Sequence, residues 1–259
     1  MNLIIKNFVK KIAGLELYQR LRQWRNYRRN YKTGFFGRHG IDKILEEKLP
    51  HSDGFYVELG ANDGAKESNS YYFELNKGWK GVLIEPTPNL YLSCVKRRSS
   101  NNKVFCNACV SFNYKEEFVQ MRYSDSMTIS DNLNLDIGDH SKHIEIGDQF
   151  LNEGETTFSF GAKSATLNSL LVKAKAPTLI DFLSLDVEGA ELDVLKGIDF
   201  TKYNFKYMVI ECRDINKMDT YLTKLNYTLE KKITHHDYLF KYKIDNHTGI
   251  DYLINEVDN

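Results

Sequence analysis

The chain has 259 residues, of which 42% are hydrophobic and 27% are charged, and this size and balance suit one α/β domain with extensions. Its 35 basic and 35 acidic side chains give a formal net charge of zero, which excludes a chain that is basic throughout, so nucleic acid is not an expected partner. The four cysteines give no reason to expect disulfides or an oxidising compartment.

The first segment, residues 1–32, is basic and amphipathic. It holds nine Lys and Arg residues and one acid, and Ile5, Phe8, Val9 and Ile12 share one face of a predicted helix. Charges interrupt its apolar runs well before the roughly 20 residues of a membrane span, and it lacks the apolar stretch of a secretory signal. We expect a cytoplasmic protein whose basic helix either contacts the inner face of a membrane peripherally or packs on the domain.

The next predicted elements are a strand at 55–59 and a glycine turn with the spacing Gly-x-x-x-Gly. Glycines let a backbone approach a ligand closely, and this spacing differs from the Gly-x-Gly-x-x-Gly of dinucleotide sites. We therefore expect S-adenosylmethionine (SAM), with Glu58 facing its ammonium; a strand and turn without a ligand is the alternative. The residues expected to hold the methionine end of SAM are Gly60, Ala61, Asn62, Asp63 and Gly64.

A predicted helix at 68–76 leads to a second strand at 82–85, which ends in Glu85 and Pro86. An acid about 20 residues after a glycine turn commonly binds ribose hydroxyls, because its two oxygens match two vicinal hydroxyls. The alternative is a solvated acid at a strand end. Pro86 ends the strand, and a helix is predicted at 88–97.

The third strand is predicted at 104–110, with Cys106 and Cys109 as small buried side chains on opposite faces rather than zinc ligands. In the SAM interpretation, Ala108 or Cys109 lies beside the adenine. The segment 113–162 is rich in Asp, Ser, Asn and Gly and shows no clear periodicity. Long loops of this kind often serve as lids or binding segments.

After regular structure resumes near Leu167, strands alternate with helices again. The order of elements predicts one doubly wound sheet, mostly parallel, that an antiparallel strand closes. The predicted strands are 181–186, 206–211, 227–234 and 238–243, and the predicted helices are 188–197 and 215–225.

Two strands end in acids, Asp186 and Glu211. Ligands bind at the carboxyl ends of such strands, so we expect both carboxylates beside the reacting group. They could bind Mg²⁺ or another divalent cation that holds two hydroxyls of an acceptor. Without a metal, the candidates for a general base are Asp186, Glu188, His235 and His236. The structural alternatives are a helix cap for Asp186 and an exposed hairpin turn for the histidines.

Four stretches together resemble the FkbM-type SAM-dependent methyltransferases: VELGANDG, SNSYYFELNKGWKGVLIEPTP, NKVFCNACVS and DFLSLDVEGAELDVLKGIDF. The resemblance runs from about residue 53 to 243, with a gap at 113–162. It implies the class I methyltransferase fold, a Rossmann-like doubly wound sheet of seven strands with one antiparallel, on residues 51–259 after a helical extension at 1–50. It also implies SAM as the donor and usually a hydroxyl as the acceptor.

We therefore expect a SAM-dependent O-methyltransferase whose partner is a small molecule or a glycan, with a sugar hydroxyl in glycan or surface-polysaccharide biosynthesis as the expected acceptor. The alternatives are N- or O-methylation of another small molecule or of a lipid-linked acceptor, and a non-catalytic binding module with the same fold. Methylation of a nucleobase amino group is disfavoured because the chain has no Asn/Asp-Pro-Pro-Tyr/Phe stretch. A NAD-dependent oxidoreductase is disfavoured by the glycine spacing.

Overall fold

The computed structural model describes residues 31–133, 135–137, 140–147, 151 and 156–243. The prediction of a basic amphipathic helix at 1–32 therefore lies outside the described residues, except at its last two positions. Among the helices that the structure describes, none is both long and apolar enough to cross a membrane.

The described helices and strands follow the chain in an order close to the predicted one. They are α1 Ile41–Lys48, β1 Phe55–Leu59, α2 Tyr71–Lys77, β2 Lys80–Ile84, α3 Pro88–Arg97, β3 Lys103–Phe105, β4 Ala108–Cys109, β5 Phe118–Tyr123, β6 Ile129–Ser130, α4 His140–Gly147, β7 Phe158–Ala165, α5 Leu167–Ala174, β8 Leu179–Leu185, α6 Glu191–Leu195, β9 Asn204–Glu211, α7 Ile215–Thr223, β10 Tyr227–Lys232 and β11 Asp237–Tyr242, with short 3-10 helices at Arg38–Gly40 and Asp125–Met127.

The central sheet has seven strands in the order β10-β11-β9-β8-β1-β2-β3. Strands β1, β2, β3, β8 and β9 pair in parallel, and β11 runs antiparallel to both of its neighbours. The predicted mostly parallel sheet with one antiparallel strand is thus confirmed. The strand order reverses between β1 and β8, so a crevice opens at their carboxyl ends, where ligands bind in such sheets.

Both faces of the central sheet are covered by apolar side chains, which explains the near-continuous apolar runs of its strands. Val57 and Leu183 face a large core cluster with α5, α6 and α7, and Tyr56 and Phe182 face a second cluster with α1, α2 and α3. Helix α1 packs into this second cluster through Ile41 and Leu45, and Leu49, which follows the helix, joins them. The last part of the predicted extension 1–50 is therefore built into the core of the domain.

The third predicted strand, 104–110, is wrong as one element. It divides into β3 and β4, because the chain leaves the central sheet at Cys106 and pairs with β7 instead, where Val110 N donates to Ala165 O at 3.0 Å. Cys109 is buried in the core, whereas Cys106 lies in the connection, with its sulfur 3.7 Å from Pro86 O.

The segment 113–162 contains regular structure that its sequence pattern did not reveal. Strands β5, β6 and β7 join β4 in a second sheet of order β4-β7-β5-β6, and α4 lies between β6 and β7 along the chain. Val119, Met121 and Ala162 form a small core beneath this sheet with Ala108 and Val110. The segment is therefore an ordered subdomain in its described parts rather than a long loop.

One helix begins later than predicted for a local reason. Helix α6 starts at Glu191, because Glu188 and Gly189 adopt left-handed φ angles of 54° and 99° just before it. Its N-cap is Ala190, so the interpretation of Asp186 as a helix cap is wrong.

Candidate functional site

Three connected cavities open at the carboxyl ends of β1, β2, β8 and β9. The central cavity, 330 Å³ in volume, is lined by Gly60, Glu85 and Asp186 among others. The lateral cavity, 270 Å³, lies toward β11 and shares Asp186 and Glu211 with the central cavity. The inner pocket, 40 Å³, continues from Gly60 toward β4. Every strand end at which the sequence predicts a ligand therefore borders one continuous cleft.

The glycine turn after β1 packs closely against its neighbours. Gly60 and Gly64 have φ angles of 75° and 86°, where an L-residue is strained. A Cβ atom on Gly60 would lie 2.1 Å from Asp186 O, and one on Gly64 would lie 3.1 Å from the Cα of Cys94. These glycines bring the turn against the end of β8 and against α3, and Gly60 also lines the central cavity.

Glu58, predicted to bind the ammonium of SAM, points into the protein. Its side chain accepts hydrogen bonds from Ser68 Oγ at 2.8 Å, Ser70 Oγ at 2.5 Å, Arg98 Nη2 at 2.9 Å and Asn69 N at 2.7 Å. Glu58 is 4% exposed and lines none of the three cavities. This placement corrects the expectation, because the carboxylate orders residues 68–70 instead of facing a ligand.

The other predicted turn residues divide between the cavity and the turn itself. Asn62, with a φ of 48°, lines the central cavity, and Ala61 is buried. Asp63 Oδ1 accepts hydrogen bonds from the backbone of Ala65 and Lys66 at 2.9 and 2.8 Å. Asp63 therefore shapes the turn and does not line the central cavity, contrary to its predicted contact with SAM.

Glu85 lies at the wall of the central cavity, next to Pro86. Its Oε2 accepts a hydrogen bond from Asn62 N at 2.9 Å, and its Oε1 accepts one from Thr87 N at 2.8 Å. Each oxygen keeps a further lone pair for a ligand hydroxyl. Burial raises the pKa of Glu85, which two backbone donors oppose. This geometry suits the predicted ribose contact.

Ala108 and Cys109 line the inner pocket, which has a largely apolar wall completed by Leu59, Ile84 and Val187. The pocket continues from the central cavity past Pro86, on the side of β2 and β4. A largely apolar pocket is the kind of surrounding that suits a planar base. Ala108 and Cys109 thus line one pocket next to the central cavity, and their contact with an adenine stays a prediction.

Three carboxylates meet between the central and lateral cavities. Asp186, Glu188 and Glu211 each offer one oxygen, and these three oxygens lie within 4.8 Å of one another. Asp186 and Glu211 were the predicted metal ligands, and Glu188 joins them through its left-handed φ of 54°. Glu211 Oε2 is buried and accepts no hydrogen bond from the described residues. An all-oxygen set with an unsatisfied buried acceptor fits a hard divalent cation.

The same carboxylates disfavour one another's charge. The side chain of Asp186 opens into the cleft, but the surrounding protein still limits its hydration, and this burial, followed by the charges of Glu211 and Glu188, raises its pKa well above the ordinary value. Burial and then Glu211 raise the pKa of Glu188 to about 8, although the Arg213 guanidinium opposes the change. Arg213, whose Nη2 lies 3.5 Å from Glu188 Oε2, offsets part of this repulsion.

His235 and His236, predicted as possible bases, line the lateral cavity together with Glu211. Their ring centroids are 5.1 Å apart, and Cys212 N donates to His236 O at 2.8 Å, which fixes the hairpin turn against the end of β9. His235 is exposed and His236 half-buried. The turn thus borders the cleft and is not an isolated surface hairpin.

Strand β5, the 3-10 helix Asp125–Met127 and α4 form what we call the roof, because Met121, Asp125 and Ile146 line the central cavity from this side. Lys66 forms an ion pair with Asp125, and His143 Nε2 lies 3.3 Å from Glu188 Oε2. Both contacts join the roof to the main domain at the cleft.

Other cavity residues were missed because the sequence carries no signal for them. Arg38 and Glu67 line both the central and the lateral cavity, and Arg213 Nη2 lies 3.5 Å from Glu188 Oε2. Arg38 falls in the segment assigned to the extension. Only the fold shows that these residues reach the ends of β1, β8 and β9.

The sequence matches the family model of the methyltransferase FkbM domain over residues 58–240. No curated protein matches the chain. The solved structure of the plantazolicin methyltransferase BpumL in complex with SAH is similar, with 9% identity, a TM-score of 0.39 and coverage of 93% of this chain and 96% of that one. The precorrin-6y C5,15-methyltransferase from Geobacter metallireducens GS-15 is similar with 9% identity, a TM-score of 0.39 and coverage of 77% and 85%.

The family match covers well over half of the chain and includes the glycine turn and the strand-end acids Glu85, Asp186 and Glu211. The central sheet supplies the doubly wound architecture in which these residues meet at one cleft. The chain therefore belongs to the FkbM family of SAM-dependent methyltransferases.

Proposed function

We propose that the protein transfers the methyl group of SAM to a hydroxyl group of a sugar, in the assembly of a glycan or surface polysaccharide. The observation that carries the proposal is the position of Asp186 and Glu211, which line both the central and the lateral cavity. With the ribose at Glu85 and the adenine in the inner pocket, the methyl group would face these two carboxylates. The lateral cavity would then hold the acceptor.

The lining of the lateral cavity supports a polar acceptor. It includes hydroxyl, amide and imidazole side chains at Asn69, Ser184, Thr234, His235 and His236. Such groups donate and accept hydrogen bonds, as a ring with several hydroxyls requires. Its 270 Å³ is slightly below the roughly 300–1,000 Å³ typical of ligand sites, which suits one sugar unit better than a long apolar acceptor. The nine bases of residues 1–32 would support an acceptor that is displayed at an anionic membrane surface.

The reaction is a direct displacement. The acceptor oxygen bonds to the methyl carbon while the carbon–sulfur bond breaks, its electron pair stays on sulfur, and the hydroxyl proton passes to a base of the site. Glu85 and the glycine turn hold the donor, and the roof limits access of water. Asp186, His235 and His236 are the candidate proton acceptors. If Asp186, Glu188 and Glu211 hold a divalent cation, it supplies a Lewis acid that lowers the pKa of the hydroxyl.

The test uses the purified protein, SAM with a deuterated methyl group, and glycans extracted from cells that lack the gene. We expect a deuterated methyl ether on a sugar, detected by mass spectrometry of the hydrolysed glycans. Label on nitrogen, or on no carbohydrate, would contradict the proposal. Asp186→Asn should lose most of the transfer, whereas Glu116→Gln, at an exposed site outside the cleft, should retain it.

The role of a cation is separated by chelation. If the carboxylates act through a bound metal, EDTA should abolish transfer and added Mg²⁺ should restore it in the unaltered protein. Restoration should fail in Glu211→Gln, because Glu211 supplies one of the three oxygens. Transfer that EDTA leaves unchanged would exclude the metal-assisted version and retain the general-base version.

A further inference from the structure

Because Glu58 is turned away from the cleft, the ammonium of SAM needs another acceptor, and an unpaired carboxylate is the strongest one. Three carboxylates of the central cavity already have partners, namely Asp125 with Lys66, Glu188 with His143 and Arg213, and Glu85 with two backbone N–H groups. Asp186 and Glu211 belong to the acid cluster that faces the reacting group. Glu67 differs from them. It is exposed in the cleft and makes no hydrogen bond or ion pair with any residue that the structure describes.

Arg38 is the matching cation. It lines the same two cavities as Glu67 and is exposed, and within the described ranges its guanidinium has no hydrogen-bonded or ionic partner. The two side chains are not paired with each other, although they border the same space. An unpaired acid and an unpaired base at one cavity wall are complementary to a zwitterion.

The loop that carries Arg38 is held in place by a buried acid. Asp42 is 0% exposed, and its Oδ2 accepts hydrogen bonds from Phe36 N at 2.6 Å and Gly37 N at 2.8 Å. A Cβ on Gly37 would lie 2.7 Å from Asp42 Oδ1, so the loop closes tightly around this carboxylate. Arg38 follows directly, and its backbone position is therefore fixed before any ligand binds.

Glu67 is fixed in a similar way by its neighbours. Lys66 binds Asp125 of the roof, and Ser68 binds Glu58 in the core. Glu67 lies between them with a left-handed φ of 58°. Strained backbone of this kind persists where the surrounding structure imposes it, often at ligand sites. Here it leaves the Glu67 carboxylate directed at the cleft while both neighbours are engaged elsewhere.

We propose that Glu67 binds the α-ammonium and Arg38 the α-carboxylate of the methionine part of SAM. The inference rests on SAM as the methyl donor. An ammonium gives charge-assisted hydrogen bonds to a carboxylate, and the planar guanidinium matches a carboxylate with two parallel donors. Both residues line the central cavity, as Glu85 does, so the methionine part of SAM would lie in the central cavity and leave the lateral cavity to the acceptor.

The test measures binding of SAH and of two SAH analogues, one without the amino group and one without the carboxylate, by titration calorimetry. Glu67→Gln should weaken binding of SAH and of the decarboxylated analogue at least about ten-fold, and should leave the deaminated analogue unchanged. Arg38→Gln should weaken SAH and the deaminated analogue and leave the decarboxylated one unchanged. Glu116→Gln and Lys115→Gln make the same charge changes at exposed positions outside the cavities and should alter none of the three.

Two outcomes would overturn the inference. If Glu67→Gln weakens SAH and its deaminated analogue equally, the residue acts on the loop and not on the ammonium. If both cleft variants bind all three compounds as the unaltered protein does, the methionine group lies elsewhere. Failure of the unaltered protein to bind SAH at all would instead contradict the cofactor itself, so the two failures are distinguishable.

Discussion

The turn after β1 approaches the end of β8 so closely that a Cβ atom on Gly60 would lie 2.1 Å from the carbonyl oxygen of Asp186. This contact joins the first glycine of the turn to Asp186 of the acid cluster. The distance between the glycine turn and the acid cluster therefore depends on the absence of one side chain.

The first prediction concerns Gly60→Ala. The change introduces both left-handed strain and a collision with backbone that cannot move as a side chain can, so we expect a loss of more than about 3 kcal/mol in the free energy of unfolding. Urea unfolding measures it. Gly40→Ala is a matched control, since Gly40 has a φ of 74° and nothing within 4 Å of an added Cβ. Equal losses in the two variants would show that the contact with Asp186 has no energetic weight.

The second prediction concerns the buried ion pair of Glu58 and Arg98. The Arg98 side chain is 0% exposed and also pairs with Glu74 at 2.8 Å. Arg98→Met should cost about 3–5 kcal/mol, because it leaves two carboxylates buried without their cation. Combining it with Glu58→Gln should cost less than the sum of the single changes, as chemical unfolding of all three variants would reveal. Additivity within about 0.5 kcal/mol would mean that the pair is not coupled.

The third prediction concerns pH and Glu191. This carboxylate is 1% exposed, accepts hydrogen bonds from the backbone of Val187 and Gly189 at 3.0 Å each, and has its pKa raised by burial from 4.5 to about 7. The folded state therefore binds the proton more tightly than the unfolded state does. The stabilisation that this protonation provides is present below pH 4.5 and is lost as the pH rises toward about 7.

Glu191→Gln removes this titration and keeps the oxygen that the two backbone groups need. Relative to the variant, the unaltered protein should lose up to about 3 kcal/mol of unfolding free energy between those pH values. Denaturant unfolding across the range measures the difference between the two proteins. Curves that stay parallel throughout would refute the raised pKa.

The central sheet could be predicted because its strands form near-continuous apolar runs, and β2, β8 and β9 end at or next to an acid. Glu85 was placed at the cleft by the same logic, since its position at a strand end needs no knowledge of distant residues. Asp186 and Glu211 lie close together because β8 and β9 are neighbours in the sheet. These features follow from local pattern and from the rules of parallel sheets.

The partners of Glu58 could not be predicted from the strand alone. Alternation along β1 places Glu58 on the face opposite Val57 and Leu59. Only the fold shows that Arg98, Ser68 and Ser70 donate hydrogen bonds to Glu58 on that face. Arg98 lies forty positions along the chain. The sequence pattern of β1 gives no signal of a buried cation that comes from the end of helix α3.

The second sheet escaped prediction for a related reason. Strand β4 has two residues and is defined only by its pairing with β7, whose partners Ser164 and Ala165 lie far along the chain. Such short strands are stabilised by non-local pairing and not by their own periodicity. The roof residues Asp125 and His143 consequently appeared as parts of a segment without pattern.

The most direct measurement is the calorimetric affinity of SAH for the unaltered protein and for Glu85→Gln. Glu85 borders the central cavity, and its two oxygens are held by Asn62 N and Thr87 N, so an amide at this position would set its NH₂ group against a backbone donor and lose the charge that binds hydroxyls. We predict that the unaltered protein binds one SAH and that Glu85→Gln binds it at least about ten-fold more weakly. Absence of SAH binding by the unaltered protein, or equal affinity in Glu85→Gln, would contradict the placement of the methyl donor in this cleft.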